Sequence, residues 1–229
     1  MYIDKSIAIA ILARDCGGAL THNIPKIDNL RKYFKSSIVI VVENDSKDNT
    51  KEILSNWRDN SKDIIIISED YNIQTIPPKT KDCKMPGAST HRIEKMCFYR
   101  NKYLEYLKKM SFEYDYLMVI DIDIDDFSEE GIVQAINNAP CDWAALFANG
   151  RYYFDFFGIR LLGRYYDLFA YVPYNDHNIT NENTDLTFRE VSLHADLLSI
   201  KAIKKKRYME CCSAFGGIAV YKTIAEHLF

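Results

Sequence analysis

The chain has 229 residues, 48% of them hydrophobic and 27% charged, with a net charge of −3. That length can bury a sizeable core without disulfides or a structural metal, and it reads as a single domain. The near-neutral charge removes the electrostatic basis for sequence-independent binding to nucleic acid or an acidic membrane, and 9 Gly and 6 Pro exclude a disordered or fibrous chain.

In chain order, Ser6 to Ala13 is the first continuous apolar run, and Ile38 to Val42, Ile64 to Ile67 and Tyr116 to Ile120 are three more. They are short, apolar on both faces and rich in β-branched residues, which predicts strands of a buried parallel sheet. Between them the patterns predict helices over Ile24 to Phe34, Asp48 to Arg58 (capped by Ser46 or Asp48) and Thr90 to Met110, and over Ser128 to Asn137 after the fourth strand. Alternation of strand and helix makes the first ~140 residues α/β. Trp143 to Ala148 reads as a strand, Gly150 to Tyr174 as aromatic and irregular, and Asn175 to Thr187 as a loop. Ala214 to Tyr221 returns to strand character with a Gly-Gly break. The basic run Lys204-Lys205-Lys206-Arg207 reads as a solvated helix end, with phosphate or an acidic lipid surface as the alternative.

Cys16, Cys83, Cys97, Cys141, Cys211 and Cys212 contain no C-x-x-C pair, which argues against zinc. Asp4 and Lys5 interrupt any apolar start, and no stretch approaches the ~18 apolar residues of a membrane span. The expected setting is a reducing cytoplasm, at most at the membrane periphery, with no nucleic acid partner.

In an open parallel sheet, ligands gather beyond the carboxyl ends of the strands. Three of those loops are rich in polar side chains: Arg14-Asp15-Cys16-Gly17-Gly18, Glu43 to Thr50, and Asp121-Ile122-Asp123-Ile124-Asp125-Asp126. The loop from Glu69 to Ser89 is long, holds Pro77-Pro78 and reads as a flexible flap. Asp121 and Asp123 are two apart and would project from one face, with Cα atoms ~6.6 Å apart in an extended chain. Massed carboxylates repel one another unless a cation joins them, and all-oxygen ligation selects Mg2+ or Mn2+. The plainer reading is an acidic turn in which Asp126 or Ser128 caps the next helix. Glu43 to Thr50 could meet a nucleobase or ribose, or could be a turn and a cap. In the long helix, Ile93, Met96, Cys97, Leu104 and Leu107 form an apolar stripe with Arg100 in its middle, and Arg92 lies within about 80° of Arg100. A guanidinium facing inward meets either a buried carboxylate or a diphosphate.

E-N-D-S-K-D-N-T (43–50), Y-R-N-K-Y-L (99–104) and Y-L-M-V-I-D-I-D (116–123), in this order and rough spacing, resemble the GT-A glycosyltransferases. Y-F-D-F-F-G-I-R (153–160) and C-S-A-F-G-G-I-A-V-Y-K (212–222) look like the CAP59-type mannosyltransferases of capsule synthesis and their bacterial and viral relatives. The resemblance implies a GT-A, Rossmann-like α/β fold: a mostly parallel central sheet flanked by helices, with a smaller mixed C-terminal part. It implies transfer of a sugar from a nucleoside diphosphate-sugar donor (UDP- or GDP-sugar) to a glycan or glycoconjugate acceptor, as in polysaccharide biosynthesis.

It further implies that residues 1–126 form the nucleotide-sugar half and 127–229 the acceptor half, with the tyrosines of Tyr152 to Tyr174 on the acceptor side. Ala13, Arg14, Asp15, Glu43, Asp45, Arg92, Arg100, Asn101 and Asp121 would bind the nucleotide. Asp121 and Asp123 would bind Mn2+ or Mg2+, with Asp125 as an accessory. In the common form of the second loop a Gly stands where this chain has Asp45, so either Glu43 or Asp45 meets the base. Such families usually continue beyond the Gly-Gly strand, so the chain reads as one domain of a longer protein. Asp155 occupies the place of the family's Asp and is the first candidate for a catalytic base, ahead of Asp167, Glu190 and Glu210. His91, His177, His194 and His227 are scattered and read as surface or packing residues. The rival readings are a haloacid-dehalogenase-type phosphatase, whose motif is also a strand followed by D-x-D, and a non-catalytic nucleotide- or carbohydrate-binding module.

Overall fold

The structure is a computed structural model that describes residues 2–81, 87, 89–167, 170–173 and 188–223. It divides into two compact units. One is Met1–Asn137 with the segment that begins at Lys222, and the other is Asn138–Tyr221.

The first unit alternates strand and helix: β1 (Ile3–Ala13), α1 (Gly17–Arg31), β2 (Phe34–Asn44), α2 (Thr50–Asn60), β3 (Ile64–Glu69), α3 (Thr90–Lys109), β4 (Tyr116–Asp121) and α4 (Glu129–Asn137). Its strands lie in the order β3-β2-β1-β4, and each neighbouring pair is parallel. All four predicted strands are present, and β1 and β2 extend several residues before their apolar runs, through exposed Asp4, Lys5, Lys35 and Ser36 to buried Ile3 and Phe34. The interior of β1 and β2 is buried on both faces, from Ile7 to Ile11 and from Ile38 to Val42. Helices cover those faces: α1 contacts α2 and α4, while α3 lies against β1 and β2. This is the mostly parallel, helix-flanked α/β architecture that the sequence predicts.

Two helices differ from expectation. α1 begins at Gly17, not Ile24, and is finished at Arg31, because Phe34 already opens β2. Pro25 normally marks a first helical turn, but here it lies inside α1, where the packing of Leu20, Ile27 and Leu30 outweighs the lost backbone bond. The buried stripe of α3 is Tyr99, Tyr103 and Leu107, whereas Ile93 and Cys97 are exposed. Tyrosine serves as a core residue when its ring packs, and Tyr99 lies 5.9 Å from the Tyr71 ring and 5.5 Å from Phe98. Arg100 is accordingly half-buried at the flank of the stripe.

In the second unit, β5 (Ala145–Phe147) pairs antiparallel with β10 (Ile218–Lys222). The stretch Gly150 to Tyr174, expected to be irregular, holds strands among its described residues. It forms a hairpin of β6 (Arg151–Phe156) and β7 (Ile159–Tyr165), followed by β8 (Val172–Pro173), which pairs with β9 (Cys211–Ser213). Gly158 supplies the positive φ at the hairpin turn, beside Phe157 at φ 48. A helix that the sequence reading recognised only by its basic end, α5 (Phe188–Lys205), packs on β7. Asp196 of α5 accepts the Tyr165 N–H at 2.7 Å and bridges Arg151 and Arg164 at 3.5 and 3.1 Å. Tyr165, Tyr171, Ala195 and Ala214 form the small core there. Asn175 to Thr187, expected as a loop, lies outside the described residues, as do His177 and His227.

Candidate functional site

Parallel register brings the predicted loops to one edge of the first unit. Ala13 is paired with Glu43, Leu12 with Asp121, and Asn44 with Glu69. The carboxyl ends of β1, β2, β3 and β4 therefore emerge together.

The loops after β1 and β2 are laced by their own polar groups. The Asp15 carboxylate accepts the Lys47 N–H at 2.7 Å, and the Asp15 N–H donates to Ser46 Oγ at 3.1 Å. The Cys16 N–H donates to Thr50 Oγ1, and Asp48 accepts from the N–H groups of Gly17 and Thr50. The approach at Gly17 is close: a Cβ there would stand 1.9 Å from Asn49 Oδ1, so a larger residue would push the Asn49 side chain aside. The Thr50 hydroxyl and the Gly17 N–H hold Asp48 below the usual carboxylate range. Burial pushes the Cys16 thiol up to about 11, so it is no nucleophile at neutral pH.

The two acids of the second loop separate clearly. Glu43 is 0% exposed and accepts from the Ser46 N–H at 2.9 Å and from the Ser68 hydroxyl, so both its oxygens are occupied inside the protein. Asp45 sits at φ 55 and accepts from the Asn72 N–H at 2.6 Å and from Asn44 Nδ2 at 3.0 Å, with Arg14 Nη1 3.8 Å away. Burial raises its pKa, but these hydrogen bonds and the Arg14 charge outweigh that, and the carboxyl ends below its usual value. Arg14 also donates to Ile73 O and Thr75 Oγ1, and His91 meets Gln74 O at 3.0 Å. The part of the predicted flap around Asn72 to Thr75 is thus tied down, not free. Of the α3 residues, Arg92 donates to Gly87 O and Asn101 is exposed.

The acidic strand end departs from the extended geometry expected of it. β4 ends at Asp121, and the Ile124 N–H turns back toward Asp121 O at 3.4 Å. Asp121 is half-buried, Ile122 is buried, and Asp123 and Asp125 are exposed. Asp126 is neutralised by Lys26, which holds its carboxyl below the usual range. Among the described residues no three His, Cys, Asp or Glu side chains converge on one point. Two hard carboxylates completed by phosphate oxygens and water nevertheless match how Mg2+ is commonly held, so the donor set fits an ion shared with a ligand and not an all-protein cage.

Asp155 is exposed on β6, in register with Arg160 of β7, and belongs to the second unit. Asp167 is half-buried, Glu210 is exposed, and the Glu190 side chain lies outside what is described. His194 bonds Tyr171 Oη at 3.0 Å, a packing role. One residue of interest escaped the sequence reading altogether. Asn23 lies on the buried stripe of α1, and its signal was polarity at a position where Leu20, Ile27 and Leu30 set an apolar rhythm.

Residues 4–184 match the family described as glycosyltransferase family 25, N-terminal domain. The chain belongs to that family. Membership sets aside the phosphatase reading of the D-x-D strand end. No curated protein matches this family 25 domain in sequence. Among solved structures, the mannosyltransferase of Pyrobaculum calidifontis in complex with GDP-Man and Mn2+ is 12% identical, with 65% of this chain on 36% of that one and a TM-score of 0.42. S. aureus TarS 1–349 is 16% identical, with 58% on 31% and a TM-score of 0.35. Glucosyl-3-phosphoglycerate synthase of Mycobacterium tuberculosis, in complex with uridine-diphosphate, is 11% identical, with 65% on 45% and a TM-score of 0.39. The family 25 domain thus spans less than half the length of each of these three. Among its described residues no helix is long and apolar enough to cross a membrane.

Proposed function

We propose that this domain is the donor-binding part of a metal-dependent GT-A glycosyltransferase that moves a sugar from a UDP- or GDP-sugar to a glycan or glycoconjugate acceptor. The observation that carries the reading is the match of residues 4–184 to a glycosyltransferase family domain. The gathering of the β1, β2 and β4 loops at one sheet edge supports it. In this reading the Ala13 backbone, Arg14, Asp15 and Asp45 surround the nucleoside. Glu43, with both oxygens occupied, shapes the loop from beneath. Arg92, Arg100 and Asn101 belong to the diphosphate side, where guanidinium groups oppose phosphate charge. Asp121 and Asp123 hold Mn2+ or Mg2+, with Asp125 as an accessory. When bound, such an ion offsets the charge that develops on the departing diphosphate.

Asp155 is the proposed base toward the acceptor hydroxyl, and the aromatic hairpin forms the acceptor side. The boundary near residue 126 between donor and acceptor halves belongs to the same proposal. So do the CAP59-type likeness, a role in polysaccharide biosynthesis, a place in a longer protein and a cytoplasmic setting at the membrane periphery. Calorimetry of donor binding with and without Mn2+ tests the core of it. The Asp121→Ala plus Asp123→Ala protein should lose metal-dependent binding of UDP- and GDP-sugars, and unchanged affinity would sink the reading. Asp155→Asn should keep donor affinity while transfer falls by 10²-fold or more.

A further inference from the structure

The acidic turn after β4 is held from one side by helix α1. Asn23 is 0% exposed, in mid-helix, between the buried residues Leu20 and Ile27. An amide there is costly unless it is hydrogen-bonded. Its Nδ2 donates to Ile122 O at 2.9 Å and to Ile124 O at 2.8 Å, so one NH2 group bridges two carbonyls of the turn. The orientation is decided by chemistry, because a flipped amide would set its oxygen against both carbonyl oxygens. Oδ1 itself finds no hydrogen bond. One turn further along α1, Lys26 Nζ donates to Phe127 O at 2.6 Å and to the Asp126 carboxylate. Three carbonyls between residues 122 and 127 are therefore anchored to α1, while Asp123 and Asp125 remain exposed. Four aspartates within six residues repel one another and would spread an unanchored loop.

We propose that Asn23, with Lys26, is a positioning clamp that fixes the spacing of Asp121 and Asp123 before a divalent cation arrives. The inference rests on the metal reading of those two aspartates. Neither clamp residue touches the reacting groups, and each acts through backbone atoms of the turn. Outer partners of metal ligands commonly change metal affinity 10- to 100-fold when removed.

The test uses the full chain and two readouts. Hydrogen exchange by mass spectrometry, without metal, should be at least tenfold faster over residues 122–127 in Asn23→Ala, with the amides of β1 unchanged. Binding of Mn2+ alone, followed by electron paramagnetic resonance, should weaken about 10- to 100-fold in the same variant. Lys26→Met should loosen residues 126–127 and weaken Mn2+ in the same direction, and Lys26→Arg should restore both. If Asn23→Ala does not fold, the Lys26 pair of variants decides the question. Wild-type exchange in the folded variants would overturn the clamp, as would faster exchange with unaltered Mn2+ affinity. If the wild-type protein binds no Mn2+ and Asp121→Ala changes nothing, the metal reading falls and the positioning role falls with it, whereas the exchange data still judge the clamp itself.

Discussion

Glu43 and Asp123 are both carboxylates at strand ends, and burial gives them opposite uses. Glu43 is sealed in and satisfied by Ser46 and Ser68, so it is part of the scaffold. Asp123 is exposed and available to a ligand. Glu43→Ala should empty a fully buried side-chain position and remove both bonds, and cost about 2–3 kcal/mol in urea unfolding. Two glycines are equally committed. A Cβ on Gly216 would stand 2.0 Å from Ala148 O, and one on Gly150 would stand 2.0 Å from Gly216 O. The neighbouring atoms are backbone and have no rotamer to move. Gly216→Ala should therefore lower stability by roughly 2–3 kcal/mol, measured by chemical denaturation. The Gly-Gly break in the sequence signalled an interruption of the strand, but not that two backbones meet there.

At the scale of elements, α1 and the β6–β7 hairpin show why local pattern is incomplete. Arg14 to Gly18 reads as a polar loop and the predicted helix begins only at Ile24, so Asn23 fell outside it and its role was invisible. The true helix is held by tertiary contacts, with α2, α4 and β2 and, through Asn23, with the carbonyls of Ile122 and Ile124 about 100 residues away in sequence. The hairpin was hidden for the opposite reason. Tyr152, Tyr153, Phe154, Phe156, Phe157, Ile159 and Leu161 are all exposed, so no apolar and polar alternation marks the strands. Phe157, 90% exposed at the turn, contributes little to the core. Phe157→Ser should change unfolding free energy by less than about 0.5 kcal/mol. A large loss of stability would mean that the tip is covered.

For the whole molecule, the aspartates set the response to acid. Asp45, Asp48, Asp115 and Asp126 all titrate below their ordinary value of 3.8. For Asp115, burial pushes upward, but the Ser6 N–H and Lys5 outweigh it. A carboxyl with a depressed folded pKa stabilises the fold at any pH above its unfolded value and loses that contribution as pH falls through the folded one. Thermal melting should thus be flat in these contributions from about pH 5 to 7 and decline below about pH 4. Asp115→Asn should make the acid limb shallower, and an identical limb would remove Asp115 from the account.

The parallel α/β core is legible in the chain, because short β-branched runs apolar on both faces have few other places to go. So are the polar loops at the strand ends, since the topology of a parallel sheet dictates where those loops emerge. Which of the loop acids are buried and occupied, the turn of β4 at Asp121, and the reach of α1 across to Ile122 and Ile124 emerge from the folded packing. Those outcomes depend on contacts between residues distant in the chain, and no local period or motif encodes which carbonyl a buried amide will meet.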